Sequence, residues 1–272
     1  MKILLSVDIE GVAGVYHPEQ TRPGNGEYER ARLLMTHEAN AAIAGAFDGG
    51  ATEVFVNDSH GSFRNMPPDL LDERARAIQG KPRYLSMMSG VELGVDGVCL
   101  IGYHSRGQGY GILAHTINSF AFSRIVLNGQ ELGEAGIYGA LAGEYGVPVI
   151  MASGDDVFID ENRDLFPKTT FVETKKAGGA ISGVSLSPSQ SREAIRQGVR
   201  IAVAAAKQTP AFVLPGPIAV TIEAQSTRLA DLFCQWPTLV RERGNQIAFE
   251  APTVEHALRM INSLSAMSAM LR

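Results

Sequence analysis

Short apolar runs, each closed by a cluster of polar residues, recur along the N-terminal half of the chain. Lys2-Ile3-Leu4-Leu5-Ser6-Val7 is the first and predicts a buried strand, with Asp8, Glu10 and Gly11 at its end. Thr52 to Val56 predicts a second strand, closed by Asn57-Asp58-Ser59-His60-Gly61. Val98 to Gly102 predicts another, closed by Tyr103-His104-Ser105, and Val147 to Ser153 one more, closed by Gly154-Asp155-Asp156. Between the first two lie a turn-rich loop over 15–26 and an Ala-rich helix from Glu27 to Phe47, ended by Gly49-Gly50. Strand, helix, strand is the unit of an α/β fold with a mainly parallel sheet flanked by helices.

The pattern continues less regularly. Pro67-Pro68 opens a short helical stretch to Ala77, and Arg83 to Ser86 predicts a short strand. Residues 105–111 hold three glycines and read as a mobile loop. Phe122 to Leu127 reads as a strand with an Asn128-Gly129 turn, Glu131 to Tyr145 as a helix, and Thr170 to Lys175 as a shorter strand. Ser189 to Lys207 is an amphipathic helix, with Ile195, Val199, Ile201 and Val203 among its apolar positions. The composition shifts at Thr209-Pro210 and Pro215-Gly216-Pro217. We therefore divide the chain into a larger α/β domain, 1–208, whose strand ends carry the candidate metal-binding and catalytic residues taken up below, and a smaller C-terminal α/β domain, 209–272. The second holds strands at Ile218 to Ile222 and Gln246 to Phe249, and helices over 225–234 and from Thr253 to Met270. Met260, Met267 and Met270 on the last helix fit packing against a core or a subunit better than cofactor binding.

Composition narrows the function. The chain has 272 residues, 45% apolar and 19% charged, which suits a globular protein with a substantial core. Its net charge of −5, without a basic tract, argues against nucleic acid as a partner. No stretch approaches the roughly 20 apolar residues of a membrane span. Cys99 and Cys234 lie far apart in apolar contexts and read as free thiols, so a reducing, cytoplasmic location is expected. No dinucleotide fingerprint, phosphate loop or Gly-x-Ser-x-Gly elbow occurs.

The strand ends carry the candidate chemistry. Asp8 and Glu10 are two apart, so on an extended backbone they point the same way. Two like charges on one side repel unless a cation or a proton lies between them. Parallel strands bring their carboxyl ends to one edge, where Asp8, Glu10, His60 and His104 can meet despite their sequence separation. Such a nitrogen and oxygen set suits zinc, manganese or cobalt better than calcium. A further carboxylate is available from the predicted helix over 131–145, where Glu131, Glu134 and Glu144 all qualify and the pattern does not choose. Two metals need about six to eight protein contacts, which these residues supply if one carboxylate bridges. His115, beyond the glycine-rich loop, fits three roles: a third metal histidine, a base or nucleophile above the metals, or a histidine hydrogen-bonded in a turn. His17, His37 and His256 read as solvated or structural, and Asp155 and Asp156 as residues that cap or bend the chain.

Taken together, Ser6-Val7-Asp8-Ile9-Glu10-Gly11, Tyr28-Glu29-Arg30, Val56-Asn57-Asp58-Ser59-His60, Gly102-Tyr103-His104, Ala114-His115, Gly133-Glu134 and Gly154-Asp155-Asp156 stand in the order of a known family. The chain resembles the DppA-type D-aminopeptidase family of binuclear zinc peptidases. The resemblance is loose in the tail, through Ile222-Glu223 and the final helix. It implies an α/β N-terminal domain with a smaller C-terminal part. It implies metal ligation by Asp8, Glu10, His60, His104 and Glu134, with Asp8 bridging two Zn2+, and His115 as the catalytic histidine. Mn2+ or Co2+ are alternatives to zinc. The Gly-Glu pair selects Glu134, although the interval from His115 to Glu134 holds one residue more than the family pattern. The resemblance further implies a homo-oligomer, a decamer with sites facing an internal cavity. It implies hydrolysis of short peptides with a D-amino acid or glycine at the N-terminal side. The alternatives are a metal-dependent amidohydrolase acting on a non-peptide amide and a non-catalytic, metal-stabilised binding protein.

Overall fold

Twelve strands and six helices alternate along residues 1–272, all of which the computed structural model describes. In chain order they are β1 (Lys2–Val7), α1 (Gly26–Asp48), β2 (Glu53–Asp58), β3 (Arg76–Ile78), β4 (Gly97–Ile101), β5 (Phe122–Leu127) and β6 (Gln130–Glu131). They continue with α2 (Glu134–Glu144), β7 (Val149–Asp155), α3 (Asp156–Asn162), β8 (Thr170–Gly179), β9 (Ser182–Ser185) and α4 (Pro188–Ala205). The tail holds β10 (Ile218–Ala224), α5 (Thr227–Phe233), β11 (Val240–Arg243), β12 (Gln246–Ala251) and α6 (Val254–Met267).

The strands form two sheets. The larger has the order β3-β2-β1-β4-β7-β8-β9 and is parallel except for β9, which returns antiparallel to β8. Its register sets Val7 between Asp58 and Ile101, so β1, β2 and β4 finish level with one another. The smaller sheet, β11-β12-β10-β5-β6, is antiparallel throughout and draws β5 and β6 from the middle of the chain. The α/β class with a mainly parallel sheet and a smaller C-terminal part is thus present.

Alternation along β1 divides the core. Ile3, Leu5 and Val7 face one way and join α1 and α4, while Leu4 faces the other way and joins α2, α6 and the small sheet. With both faces covered, β1, β2, β4 and β7 are buried almost throughout.

Two predicted elements are corrected. The stretch from Pro67 to Ala77 is not a helix but a single tight turn at Pro68–Leu70, followed by β3. The Asp72 side chain accepts from the Arg74 amide at 3.1 Å, and this local bond competes with helix. The segment from Arg83 to Ser86 is not a strand, because Ser86 has φ 51° and opens a tight turn over Ser86–Met88. The structure adds α3, β9 and β11, which the apolar pattern does not announce. No helix is long and apolar enough to cross a membrane.

Candidate metal centre

In the large sheet β1 and β4 are neighbours, while β2 and β3 extend to one side and β7 and β8 to the other. The crevice outside the carboxyl ends at such a reversal of strand order is where open α/β sheets bind ligands. Asp8 follows β1 and His104 follows β4 at this point. The Asp8 amide donates to the Ile101 carbonyl at 2.8 Å, and the Gly11 amide to the Gly102 carbonyl at 2.7 Å. Gly102 has φ +69°, and a Cβ there would run into the Asp8 carbonyl oxygen, so this close approach requires glycine. Asp8 and Glu10 do converge, but not through strand alternation. Pairing of β1 ends at Val7, and the chain turns, with the Val12 amide donating to the Ile9 carbonyl at 3.2 Å.

His60 lies between the two carboxylates. Its Nδ1 is 3.2 Å from Asp8 Oδ1 and 3.1 Å from Glu10 Oε2. The other Asp8 oxygen, Oδ2, lies 3.5 Å from His104 Nε2, which is also 3.5 Å from Glu134 Oε1. Glu134 is the first residue of α2, so the helix N-terminus favours its negative charge. The ring of His115 stacks on that of His104, centroids 4.1 Å apart and planes within 10°, and its Nε2 is 3.6 Å from Glu134 Oε1.

Each imidazole is oriented by a backbone carbonyl. His60 Nε2 donates to Thr21 O at 2.8 Å, His104 Nδ1 to Ser105 O at 2.9 Å, and His115 Nδ1 to Leu113 O at 2.9 Å. A carbonyl only accepts, so these nitrogens carry the proton, and in the neutral ring the remaining nitrogen is a lone pair. Those three lone pairs face carboxylate oxygens. Acceptors facing acceptors are stable only around added positive charge. The buried Glu10 Oε2 and His104 Nε2 have no hydrogen-bond partner in the protein. Ligand atoms of Asp8, Glu10 and His104 lie within 4.8 Å of one another, as do those of His104, His115 and Glu134. The residues present therefore fit divalent metal.

Titration behaviour follows from the same geometry. Burial pushes the Asp8 carboxyl up, and the Glu10 charge adds to it. Burial acts likewise on Glu10 and Glu134, but the imidazoles prevail, His60 foremost for Glu10 and His104 for Glu134, and both carboxyls are lowered. Conversely, burial disfavours protonated His60 and His104, and the carboxylates more than reverse it, lifting both rings well above their ordinary pKa. The cluster demands positive charge, supplied by protons or by metal.

Six residues singled out in the sequence, Asp8, Glu10, His60, His104, His115 and Glu134, thus meet in one place. Glu131 and Glu144 do not. Glu131 lies in β6 beside Arg106 and Arg124, and Glu144 accepts from the Val254 amide at 2.7 Å. His17 caps the tight turn at Pro18–Thr21, and Asp155 caps α3.

A model of the D-aminopeptidase family, peptidase M55, matches residues 1–263. The chain belongs to this family. It is 32% identical over 271 residues to a D-aminopeptidase of Bacillus subtilis (strain 168), covering 99% of this chain and 96% of that protein. A solved structure of the Zn-dependent D-aminopeptidase DppA from Bacillus subtilis, described as a self-compartmentalizing protease, superposes with a TM-score of 0.95 at 29% identity. It covers 99% of this chain and 98% of that one. The protein is a metal-dependent hydrolase related to these D-aminopeptidases.

For this D-aminopeptidase family member, the sequence reading missed the residues that brace the centre. Asp58 is buried at the end of β2 and accepts from the Asn65 amide at 2.6 Å and the Met66 amide at 2.8 Å, fixing the loop that carries His60. Lys175, 3% exposed, donates to the carbonyls of Glu10 and Val15, and Thr174 Oγ1 donates to the Gly11 carbonyl at 2.6 Å. Two adjacent residues of β8 thus hold the turn that presents Glu10. Asp155 Oδ2 accepts from the Ile112 amide at 2.7 Å and ties down the glycine-rich loop before His115. Asp58 and Asp155 stand within motifs visible in the sequence, whereas nothing there marks Lys175 as inward.

Proposed function

We propose that the protein is a binuclear metal aminopeptidase acting on short peptides, with a D-amino acid or glycine at the N-terminal side. The observation that carries this reading is the division of Asp8. One carboxylate oxygen faces His60 and the other faces His104, and each histidine has its own glutamate, Glu10 or Glu134. His60 with Glu10 would hold one ion and His104 with Glu134 the second, with Asp8 available to both. Zinc is the metal, a choice supported by the zinc dependence of the related DppA.

Divalent ions at this centre supply Lewis-acid polarisation of a carbonyl and lower the pKa of water to about 7. The chain's own residues do the rest. The His115 side chain keeps 22% of its exposure where that of His104 keeps 1%, so His115 borders the open side of the centre. Its Nε2 lone pair is aimed inward by the bond from Nδ1 to Leu113 O. It takes the proton of the attacking water and returns it to the leaving amine. Glu134, held by the Ile117 amide at 2.6 Å, fixes the approach of that ring.

Paired D- and L-dipeptides and tripeptides, free and N-acetylated, with added zinc, test the reading. Free D-peptides are cleaved and acetylated ones are not. Equal cleavage of both forms overturns amino-end recognition, and preference for L-forms overturns the handedness. The related DppA is described as self-compartmentalizing, which supports a homo-oligomer with its centres facing an enclosed space; a decamer is the assembly we propose. A light-scattering mass near the 29.1 kDa of one chain rejects that assembly.

A further inference from the structure

The turn after β1, which presents Glu10, is held from across the sheet. Two strands, β4 and β7, separate β1 from β8. The turn spans that gap, and the Gly11 amide donates on the way to the Gly102 carbonyl, just past β4, at 2.7 Å. Its carbonyls then meet β8. Thr174 Oγ1 lies 2.6 Å from the Gly11 carbonyl oxygen and 3.1 Å from that of Gly154 near the end of β7. Lys175 Nζ donates to the carbonyls of Glu10 and Val15. Both side chains are closed off from water, with Thr174 at 0% and Lys175 at 3% exposure. A buried ammonium is costly unless its donors are met, and the turn meets two of the three. Turn and ammonium therefore depend on each other.

The two glutamates of the centre are fixed differently. Glu134 is held at its carboxylate, where Oε1 accepts from the Ile117 amide at 2.6 Å, and the residue opens α2. The buried Glu10 Oε2, by contrast, has no hydrogen-bond partner and faces His60 Nδ1 at 3.1 Å. The place of the Glu10 carboxylate is therefore set through its backbone. That backbone is held by Lys175 at the residue's own carbonyl and by Thr174 at the next one. Neither Thr174 nor Lys175 bonds to His104, His115 or Glu134. One side of the centre is thus braced from β8, and the other is not.

We propose that Lys175 and Thr174 are positioning residues for Glu10, and that β8 through them controls occupancy of the His60–Glu10 half of the centre while leaving the His104–Glu134 half alone. The inference rests on the binuclear reading above. Distances from ligand to metal are held to about 0.2 Å, so a turn released at its carbonyls presents Glu10 poorly. Groups that orient a ligand from behind typically set metal affinity over about 10- to 100-fold. The loss stays on one side because Asp8 is anchored separately, its amide donating to the Ile101 carbonyl at 2.8 Å. The carboxylate available to both ions therefore keeps its place when the turn beyond it loosens.

The test titrates metal-free protein with Zn2+ by calorimetry, with elemental analysis of the ions retained. The wild type takes two, as the binuclear reading requires. Thr174→Val keeps the outline of the side chain and loses the hydroxyl. It binds one ion as the wild type does and the other about 10- to 100-fold more weakly. Thr174→Ser, which keeps the hydroxyl, restores both. Lys175→Met acts in the same direction and more strongly; where it does not fold, the threonine variants decide alone. The His60→Ala background identifies the ion, since one ion remains there and adding Thr174→Val leaves its affinity unchanged. Unchanged affinity at both ions in Thr174→Val overturns the inference. So does an equal loss at both, which marks a general loosening, and so does further weakening in the His60→Ala background. A wild type that takes fewer than two ions has a different meaning: it removes the binuclear reading, and this inference with it.

Discussion

The two sheets bury their strands by different rules, and the difference explains where the chemistry lies. In the large sheet, β1, β2, β4 and β7 are buried almost residue by residue, and charge begins where they end. In the small sheet, β10 and β12 alternate buried and open positions. Every buried Asp, Glu and Lys belongs to the large sheet or to the segments packed against its ends and helices: Asp8, Glu10, Glu38, Asp58, Glu134, Asp155 and Lys175. None lies in β5, β6 or β10 to β12. Parallel strands all finish at one edge, so their terminal polar residues converge, whereas antiparallel strands finish at alternate edges and theirs do not. The large sheet concentrates charge for a metal centre, and the small sheet supplies core.

The largest expected effect lies at the open side of that centre. Replacing His115 with Ala lowers kcat by about 100- to 10,000-fold, the usual loss for a general acid–base group. Metal content, measured by elemental analysis, stays at the wild-type value, because Asp8, Glu10, His60, His104 and Glu134 remain. Loss of metal together with activity would make His115 a ligand instead. That outcome is the one the grouping of His104, His115 and Glu134 leaves available.

The small sheet should respond in the opposite way. Ile222 is fully buried at the centre of β10, facing Ile247 and Ile125 on its neighbours. Its replacement by Ala removes buried methyl groups and leaves a cavity, costing about 2–5 kcal/mol. Urea unfolding detects this as a lower midpoint, while kcat and metal content of the folded protein stay at wild-type values. A fall in kcat beyond twofold or so would mean that the two sheets do not divide core from chemistry as proposed.

How much the sequence reveals follows the same division. The strands of the large sheet are uninterrupted apolar runs, and Asp8, His60 and His104 stand out because polar residues abruptly end those runs. Glu134 does not stand out. Glu131, Glu134 and Glu144 look alike along the chain; the break between β6 and α2 sets Glu131 apart, and the length of α2 carries Glu144 to the opposite end of the helix from Glu134. The edge strands β9 and β11 escape the reading because they are mostly open to solvent and carry no apolar rhythm. Lys175 escapes it for another reason. Lysine is almost never fully buried, and its position here depends on two carbonyls of a distant turn, which no local pattern encodes.

The smallest effect tests whether charge buried beside the large sheet costs stability when it serves no metal. Glu38 lies on α1, 2% exposed, and its Oε1 accepts from Ser191 Oγ at 2.7 Å and from the Ala13 amide at 3.1 Å. Its Oε2 is buried without a partner. Burial pushes this carboxyl up to about 6, against the opposing bonds from Ser191 and Ala13. An unfolded glutamate titrates near about 4.3, so between these values the folded protein binds the extra proton. The stability that Glu38 contributes is therefore full below the unfolded pKa and is lost as pH rises through the folded one. A rise of this size corresponds to about 2 kcal/mol. Glu38→Gln keeps an oxygen for both donors and cannot ionise. Other titrating groups act on both proteins alike, so the informative quantity is the stability of the wild type minus that of the variant. That difference should fall by about 2 kcal/mol as pH goes from below the unfolded pKa to above the folded one, read from urea midpoints across the range. A flat difference would show Glu38 ionising at its ordinary pKa. The buried charges behind the large sheet would then be better compensated than the geometry around Oε2 indicates.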